Sequence, residues 1–135
     1  MKTLFTDDYI DIFELETPQY LLKLCWKPTS EHLGKKDYKR HVHIWADMVR
    51  EKRPYAVLVD TRKHMVSIDL QMQTWFVENI FPKYAQSEMK KLAFIESEDF
   101  ISQLSIEQTM DEDTNVPFKT AYFDREEKAI DWLLA

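Results

Sequence analysis

A short polar segment that follows an apolar run contains the side chains best suited to chemistry. The run Tyr55–Asp60 is continuous and apolar, and it ends in a carboxylate. A hydroxyl, a guanidinium and an imidazole follow at Thr61, Arg62 and His64. Ligands of open α/β sheets bind beyond the carboxyl ends of the strands, so we take Asp60 and these three side chains as candidate ligand- or partner-binding residues.

Other side chains with reactive groups do not form a recognisable site. His41 and His43 are two residues apart, which places them about 200° apart on a helix, so they cannot chelate one metal ion together. We expect them to face solvent or to cap backbone groups. Cys25 lies in an apolar run, where a thiol is usually inert. No zinc motif is present, and we predict neither a metal nor a cofactor.

The chain contains a single glycine, Gly34. Dinucleotide-binding loops, P-loops and the nucleophile elbow of hydrolases each need glycines at fixed spacing, and none of them can be built around this position. The carboxylates are spread along the chain without a recognisable acid/base pair. We therefore expect a protein that is not an enzyme.

Composition and charge indicate one globular domain over residues 1–135. Hydrophobic residues make up 44% of the chain and charged residues 31%. With 24 acidic and 18 basic residues, the net charge of −6 disfavours nucleic acid as a partner. One cysteine, no signal-sequence pattern and no long apolar run favour a cytoplasmic protein without a membrane span.

The first half of the chain predicts a hairpin, a helix and a buried strand. Segments 9–15 and 20–26 read as strands, and the short link through Pro18 permits only antiparallel pairing. Apolar residues at helical spacing predict a helix over 35–52 that ends before Pro54. The run 55–60 predicts a central strand buried on both faces.

The second half alternates helices and strands. We predict a helix from Ser67 to about Phe81, a strand over 91–95, a helix capped by Ser97, a strand over 118–123, and a last helix with a capping box at Asp124. The third helix is expected to bury one face, made of Phe100, Ile101, Leu104 and Gln108. The fold class is therefore α/β, with a mixed sheet of about five strands and about four helices.

Two interpretations of Asp60 remain open. A phosphate-accepting aspartate, as in receiver domains, is one, but that fold begins with a parallel β-α-β unit and needs further acidic residues. The predicted N-terminal hairpin does not fit it. The other interpretation is a cap or a local salt bridge with Arg62 or Lys63, which we favour.

Five motifs resemble the SpoIIAA-like group of STAS and SEC14-type domains. They are Val57-Leu58-Val59-Asp60-Thr61-Arg62, the helix containing Gln71 and Trp75, Lys91-Leu92-Ala93-Phe94, Ser105-Ile106-Glu107-Gln108-Thr109, and the ending from Tyr122-Phe123-Asp124 to Ala129-Ile130-Asp131-Trp132-Leu133. The resemblance implies a sheet of four or five strands backed by helices. Relatives include anti-sigma-factor antagonists, which are regulated by phosphorylation after the central strand, and lipid-carrying SEC14 domains.

The resemblance also draws attention to Ser67. The phosphorylated motif of the antagonists reads Asp-Ser-Ser-Gly, whereas this chain has Asp60 followed by Thr61, Arg62 and Lys63, with no glycine. Ser67 lies nearest to the corresponding place, which makes it a fifth candidate site residue. From its residue type alone, we favour an N-cap that accepts from the backbone N–H of Asp69 or Leu70.

Two functions are expected from different classes. The preferred one is a regulatory or protein-interaction module of STAS type, with a filled core and a protein partner. The alternative is a small apolar-ligand or lipid binder of SEC14 type, which needs a pocket of several hundred Å³. We expect the aromatic residues on the first two helices to lie in the core, and any of their surface left exposed would suit a homodimer face or a groove for a partner.

Overall fold

The computed structural model describes residues 1–135 and contains one mixed sheet of six strands. The strands are β1 Lys2–Thr6, β2 Ile10–Glu14, β3 Leu21–Trp26, β4 Ala56–Asp60, β5 Lys91–Ile95 and β6 Lys119–Phe123. They lie side by side in chain order. The first three pair antiparallel, and β3 to β6 pair parallel. The predicted α/β class and the N-terminal antiparallel hairpin, formed by β2 and β3, are confirmed.

Five helices connect or follow the strands. They are α1 Lys35–Lys52, α2 Leu70–Asn79, α3 Phe81–Ser87, α4 Phe100–Asp111 and α5 Glu126–Leu134, and a 3₁₀ turn covers Pro28–His32. α1 has the predicted bounds, and the residue that follows it, Arg53, has a φ of 51° that places it in the left-handed region just before Pro54. None of the five helices is long and apolar enough to cross a membrane.

Both faces of the sheet are covered, but unequally. Successive side chains of β4 point to opposite faces of the sheet, and all five residues of the strand are buried. Val57 and Val59 join the larger core, which α1 to α4 cover. Ala56 and Leu58 join a smaller core, which α5 covers. The predicted central strand, buried on both faces, is confirmed.

The element count differs from the predicted five strands and four helices. β1 was not predicted because it is an edge strand whose residues are exposed or half-buried, so its sequence lacks strong apolar alternation. The predicted helix that ends at Phe81 stops at Asn79, and α3 begins beyond Ile80 with Pro82 in its first turn. Proline suits that position because the backbone N–H groups of the first helical turn have no hydrogen-bond partner within the helix, so the N–H that proline lacks is not missed.

Three predicted helix caps were wrong. Asp69, not Ser67, caps α2 by accepting from the backbone N–H of Met72 at 2.9 Å. Asp99, not Ser97, caps α4 by accepting from the backbone N–H of Ser102 at 3.0 Å. The N-cap of α5 is Arg125, which makes no side-chain capping bond. Each of these caps lies one or two residues later than predicted, because more than one polar residue precedes the helix.

Candidate functional site

Four of the five candidate residues lie in the loop Thr61–Asp69, which leads from β4 to α2 and has no regular secondary structure, and the fifth, Asp60, is the last residue of β4. Serine hydroxyls from elsewhere in the chain bond four backbone groups of this loop. Ser30 bonds the Lys63 carbonyl and the Met65 N–H, each at 3.1 Å; Ser97 donates to the His64 carbonyl at 3.0 Å; and Ser105 accepts from the Ile68 N–H at 3.0 Å. The loop is therefore fixed by bonds to distant elements rather than by a helix or strand of its own.

Asp60 and Arg62 pair with each other. The Arg62 Nη2 and Nε donate to the two Asp60 carboxylate oxygens at 2.7 and 3.1 Å, and the Arg62 backbone N–H donates at 3.1 Å. Burial raises the pKa of Asp60, but these hydrogen bonds and the charge of Arg62 outweigh it and hold that pKa below its ordinary value. The expected local salt bridge is confirmed, and it occupies the carboxylate.

Thr61 and His64 are buried, 2% and 1% exposed respectively. The Thr61 hydroxyl donates to the Ile95 carbonyl. His64 lies between two hydroxyls, with Nε2 2.7 Å from the Tyr38 oxygen and Nδ1 2.7 Å from the Ser102 Oγ. Burial lowers the pKa of His64 to about 3, so the ring is neutral at pH 7. Thr61 and His64 therefore make structural hydrogen bonds in the interior.

Ser102 and His64 are residue types that can serve as a nucleophile and its general base, but both side chains are shut off from solvent. Both side chains are about 1% exposed, so no substrate reaches them in this structure. Cys25 is half-buried with its Sγ 3.8 Å from Asp60 Oδ2. Burial, together with the charge of Asp60, raises the pKa of the thiol, which keeps it in its less reactive form.

Ser67 is exposed and makes no hydrogen bond through its side chain. The side chain of Arg62 is also exposed, and its guanidinium bonds Asp60. The structure thus places all five candidates at the carboxyl end of β4, as the sequence predicts, but turns three inward and two outward. They do not form one surface.

His41 does not face solvent as expected. It is fully buried, with Nε2 2.6 Å from the Asp7 carboxylate and Nδ1 2.7 Å from the Asp37 carbonyl. His43 points elsewhere, with its Nδ1 2.9 Å from Lys83 Nζ. The sequence could not show the Asp7 contact, because it joins residues 34 apart. No three His, Cys, Asp or Glu side chains converge at a spacing that would hold a metal ion.

The orientation of α4 is the largest departure from the sequence prediction. The face expected to be buried is exposed: Phe100 by 77%, Ile101 by 58% and Leu104 by 44%. The buried side chains are Ser102, Gln103, Ser105, Ile106 and Thr109. Ser102 and Ser105 face inward because they supply bonds to the imidazole of His64 and to the loop backbone. Buried polar groups left without partners cost more than exposed apolar ones.

This arrangement leaves a patch of large apolar side chains on the surface. We call Phe100, Ile101 and Leu104 the α4 stripe. Leu70, the first residue of α2, is also 74% exposed. Exposed apolar residues are common singly, whereas several on one helix face indicate an interaction site.

A small apolar pocket lies between the sheet and its covering helices. Its volume is about 50 Å³, and fourteen of its seventeen lining residues are hydrophobic. That is room for one or two water molecules. The aromatic residues of α1 and α2, which the sequence offers for a homodimer surface, mostly line this pocket or pack in the core. Trp45 is 1% exposed, and Trp75 and Phe76 pack against the larger core. Self-association through them stays a prediction.

Comparison with known proteins gives no match. No protein-family model, no curated protein and no solved structure matches this chain.

Proposed function

We propose that this protein is a non-enzymatic protein-interaction module, and that the α4 stripe is its docking surface. One observation carries the proposal: α4 buries serine and threonine and exposes phenylalanine, isoleucine and leucine. Exposing large apolar side chains to water is unfavourable, at roughly 1.5–3 kcal/mol for each side chain that could otherwise be buried. A bound partner would cover them.

The geometry around the stripe also supports a binding role. The stripe begins at the first residue of α4, which follows β5 after the short loop 96–99, and so lies near the carboxyl end of the parallel strands. Its inward side is fixed by the capping bond of Asp99 and by the bond between Ser102 and His64. A surface presented by a fixed helix needs little ordering when a partner binds, which favours affinity.

The resemblance to STAS domains agrees with a regulatory or interaction role, and we keep that family as part of the proposal. A carrier of lipid or another apolar ligand needs a pocket of several hundred Å³. The apolar pocket of about 50 Å³ would have to expand several-fold to serve it. The wider cleft between α2 and α4 has Leu70 as its single hydrophobic lining residue, so it does not suit an apolar ligand, and this supports the interaction module.

A site-specific photocrosslinker tests the proposal in the cell from which the protein comes. We expect benzoylphenylalanine at position 104 to give discrete adducts with a protein, because that side chain points outward in the stripe. The matched control places the same group at Glu127, an exposed position on α5. Adding Phe100→Ser and Ile101→Ser should abolish the adducts from position 104. Identical products from positions 104 and 127, or products insensitive to the two serine substitutions, would contradict the proposal.

A further inference from the structure

The negative charge of the protein is concentrated around α4. Residues 92–118 contain seven carboxylates and no lysine or arginine. The remainder of the chain therefore has 17 acidic and 18 basic residues, so this segment accounts for the whole net charge of −6. Of the seven, only Glu98 has a cationic partner, Lys63 at 2.6 Å. The acidic groups near the stripe are not neutralised within the chain.

A cleft between α2 and α4 continues from the stripe. It is lined by Leu70, Gln73, Gln108, Asp111 and Glu112. Gln108 lies one helical turn beyond Leu104 on the outward side of α4, and the two acidic residues follow it. The exposed side of α4 is thus apolar in its first half and acidic in its second.

Gln73 gives an independent sign that the cleft is incomplete. The residue is 2% exposed, and its Nε2 donates to the Ile68 carbonyl at 3.0 Å and to Gln108 Oε1 at 3.3 Å. Its Oε1 is the only buried side-chain polar atom of the protein without a hydrogen-bond partner. A buried acceptor without a donor is unfavourable, and here it stands beside two carboxylates. The two carboxylates are exposed and have no cationic partner within the chain, so a cationic group of another molecule can pair with them.

The charge decides between possible occupants of the stripe. A second copy docking stripe to stripe would bring two sets of unpaired carboxylates together, which is repulsive. The same charge repels nucleic acid and anionic lipid. A cationic partner is attracted instead.

Resting on the proposed function, we propose that the α4 stripe and the α2–α4 cleft together bind an amphipathic helix of a partner protein. Its apolar side chains lie on Phe100, Ile101 and Leu104. Its lysines or arginines reach Asp111 and Glu112, whose side chains are exposed. A helix fits because α4 is 12 residues long, about 18 Å, and the apolar side chains occupy one side of it.

Fluorescence anisotropy with defined peptides tests this partner class. The probe is a labelled 18-residue peptide of leucine and lysine, with leucine at helical spacing. A second peptide has glutamate at every lysine position, and a third has the first composition in an order without an apolar face. In 50 mM NaCl the first peptide is expected to bind the full chain at least about 10-fold more tightly than either of the others.

Matched variants separate a built site from general attraction to an acidic protein. Asp111→Asn with Glu112→Gln should weaken binding of the first peptide about 5-fold or more. Asp131→Asn with Glu127→Gln removes the same charge from exposed positions on α5 and should change it less than about 2-fold. Leu104→Ser should weaken it about 10-fold. Equal effects of the two charge variants, or no effect of Leu104→Ser, would overturn the inference.

The two proposals fail in different ways. Adducts from position 104 in the cell, together with equal affinity for the lysine and glutamate peptides, would leave the docking surface standing and refute the cationic helix. Sedimentation that shows a dimer at micromolar concentration, abolished by Leu104→Ser, would assign the stripe to a second copy and also refute it. Failure of both crosslinking and peptide binding would remove the docking surface itself.

Discussion

Ile106→Ala is expected to lower the free energy of unfolding by about 3 kcal/mol, within the usual range for truncating a buried aliphatic side chain. Leu104→Ala, two residues earlier on the same helix, should change it by less than about 0.5 kcal/mol. The reason is orientation: Ile106 is 4% exposed in the larger core, whereas Leu104 is 44% exposed on the stripe. Urea denaturation of the two variants and the parent protein measures both values.

This pair isolates the orientation of α4 from its stability as a helix. Both substitutions replace a branched aliphatic residue by alanine, which raises helix propensity slightly, so the propensity change stabilises both variants to a similar degree. Similar losses in the two variants, or a larger loss for Leu104→Ala, would show that α4 packs with the face that the sequence alone predicts.

The second large effect is acid destabilisation through His64. Its folded pKa of about 3 lies below the ordinary value of 6.5, because burial disfavours the charged ring. Below pH 6.5 the unfolded chain binds a proton that the folded protein does not, so stability is complete above pH 6.5 and is lost as pH falls toward 3. Between pH 7 and 4.5 we expect His64 to reduce the free energy of unfolding by about 2–3 kcal/mol.

His64→Gln provides the matching variant. Its neutral amide retains a donor and an acceptor near Tyr38 and Ser102, and it does not titrate. The variant should be less stable than the parent at pH 7 but should lose much less stability on going to pH 4.5. His32→Gln is the control because His32 is exposed, and it should keep the parent's pH dependence.

Denaturant titrations at pH 7, 6, 5 and 4.5 separate this effect from the carboxylates. The pKa values of Asp7 and Asp60 are lowered from 3.8, so the stability they contribute is lost at still lower pH. An unchanged pH dependence in His64→Gln would show that the ring is not buried and neutral in the folded protein.

Most of the architecture could be predicted from apolar periodicity. The bounds of α1 and β5 agree with the prediction to the residue, because each has a regular pattern and clear limits such as Pro54. β4 was identified as central because its apolar run is continuous, as burial on both faces requires. The fold class followed from the order of these elements.

The location of the candidate residues could be predicted from the sequence, but their contacts could not. They follow β4 as expected, yet the partners of His64 are 26 and 38 residues away in the chain, so no local pattern shows that the ring is buried. The sequence prediction gave α4 the wrong orientation because it assigned the inward face from hydrophobicity alone. The bonds from Ser102 and Ser105 to His64 and the loop form only in the folded chain, and these bonds decide which side faces in.

Thiol labelling shows directly whether α4 presents its apolar side chains to solvent. In a Cys25→Ser background, the labelling rates of Leu104→Cys and Ile106→Cys are compared in native buffer with that of the unfolded chain. We predict that the thiol at position 104 reacts within about 10-fold of the unfolded rate and that the thiol at 106 is protected at least about 100-fold. Protection at 104 with free reaction at 106 would contradict both the orientation of α4 and the docking surface inferred from it.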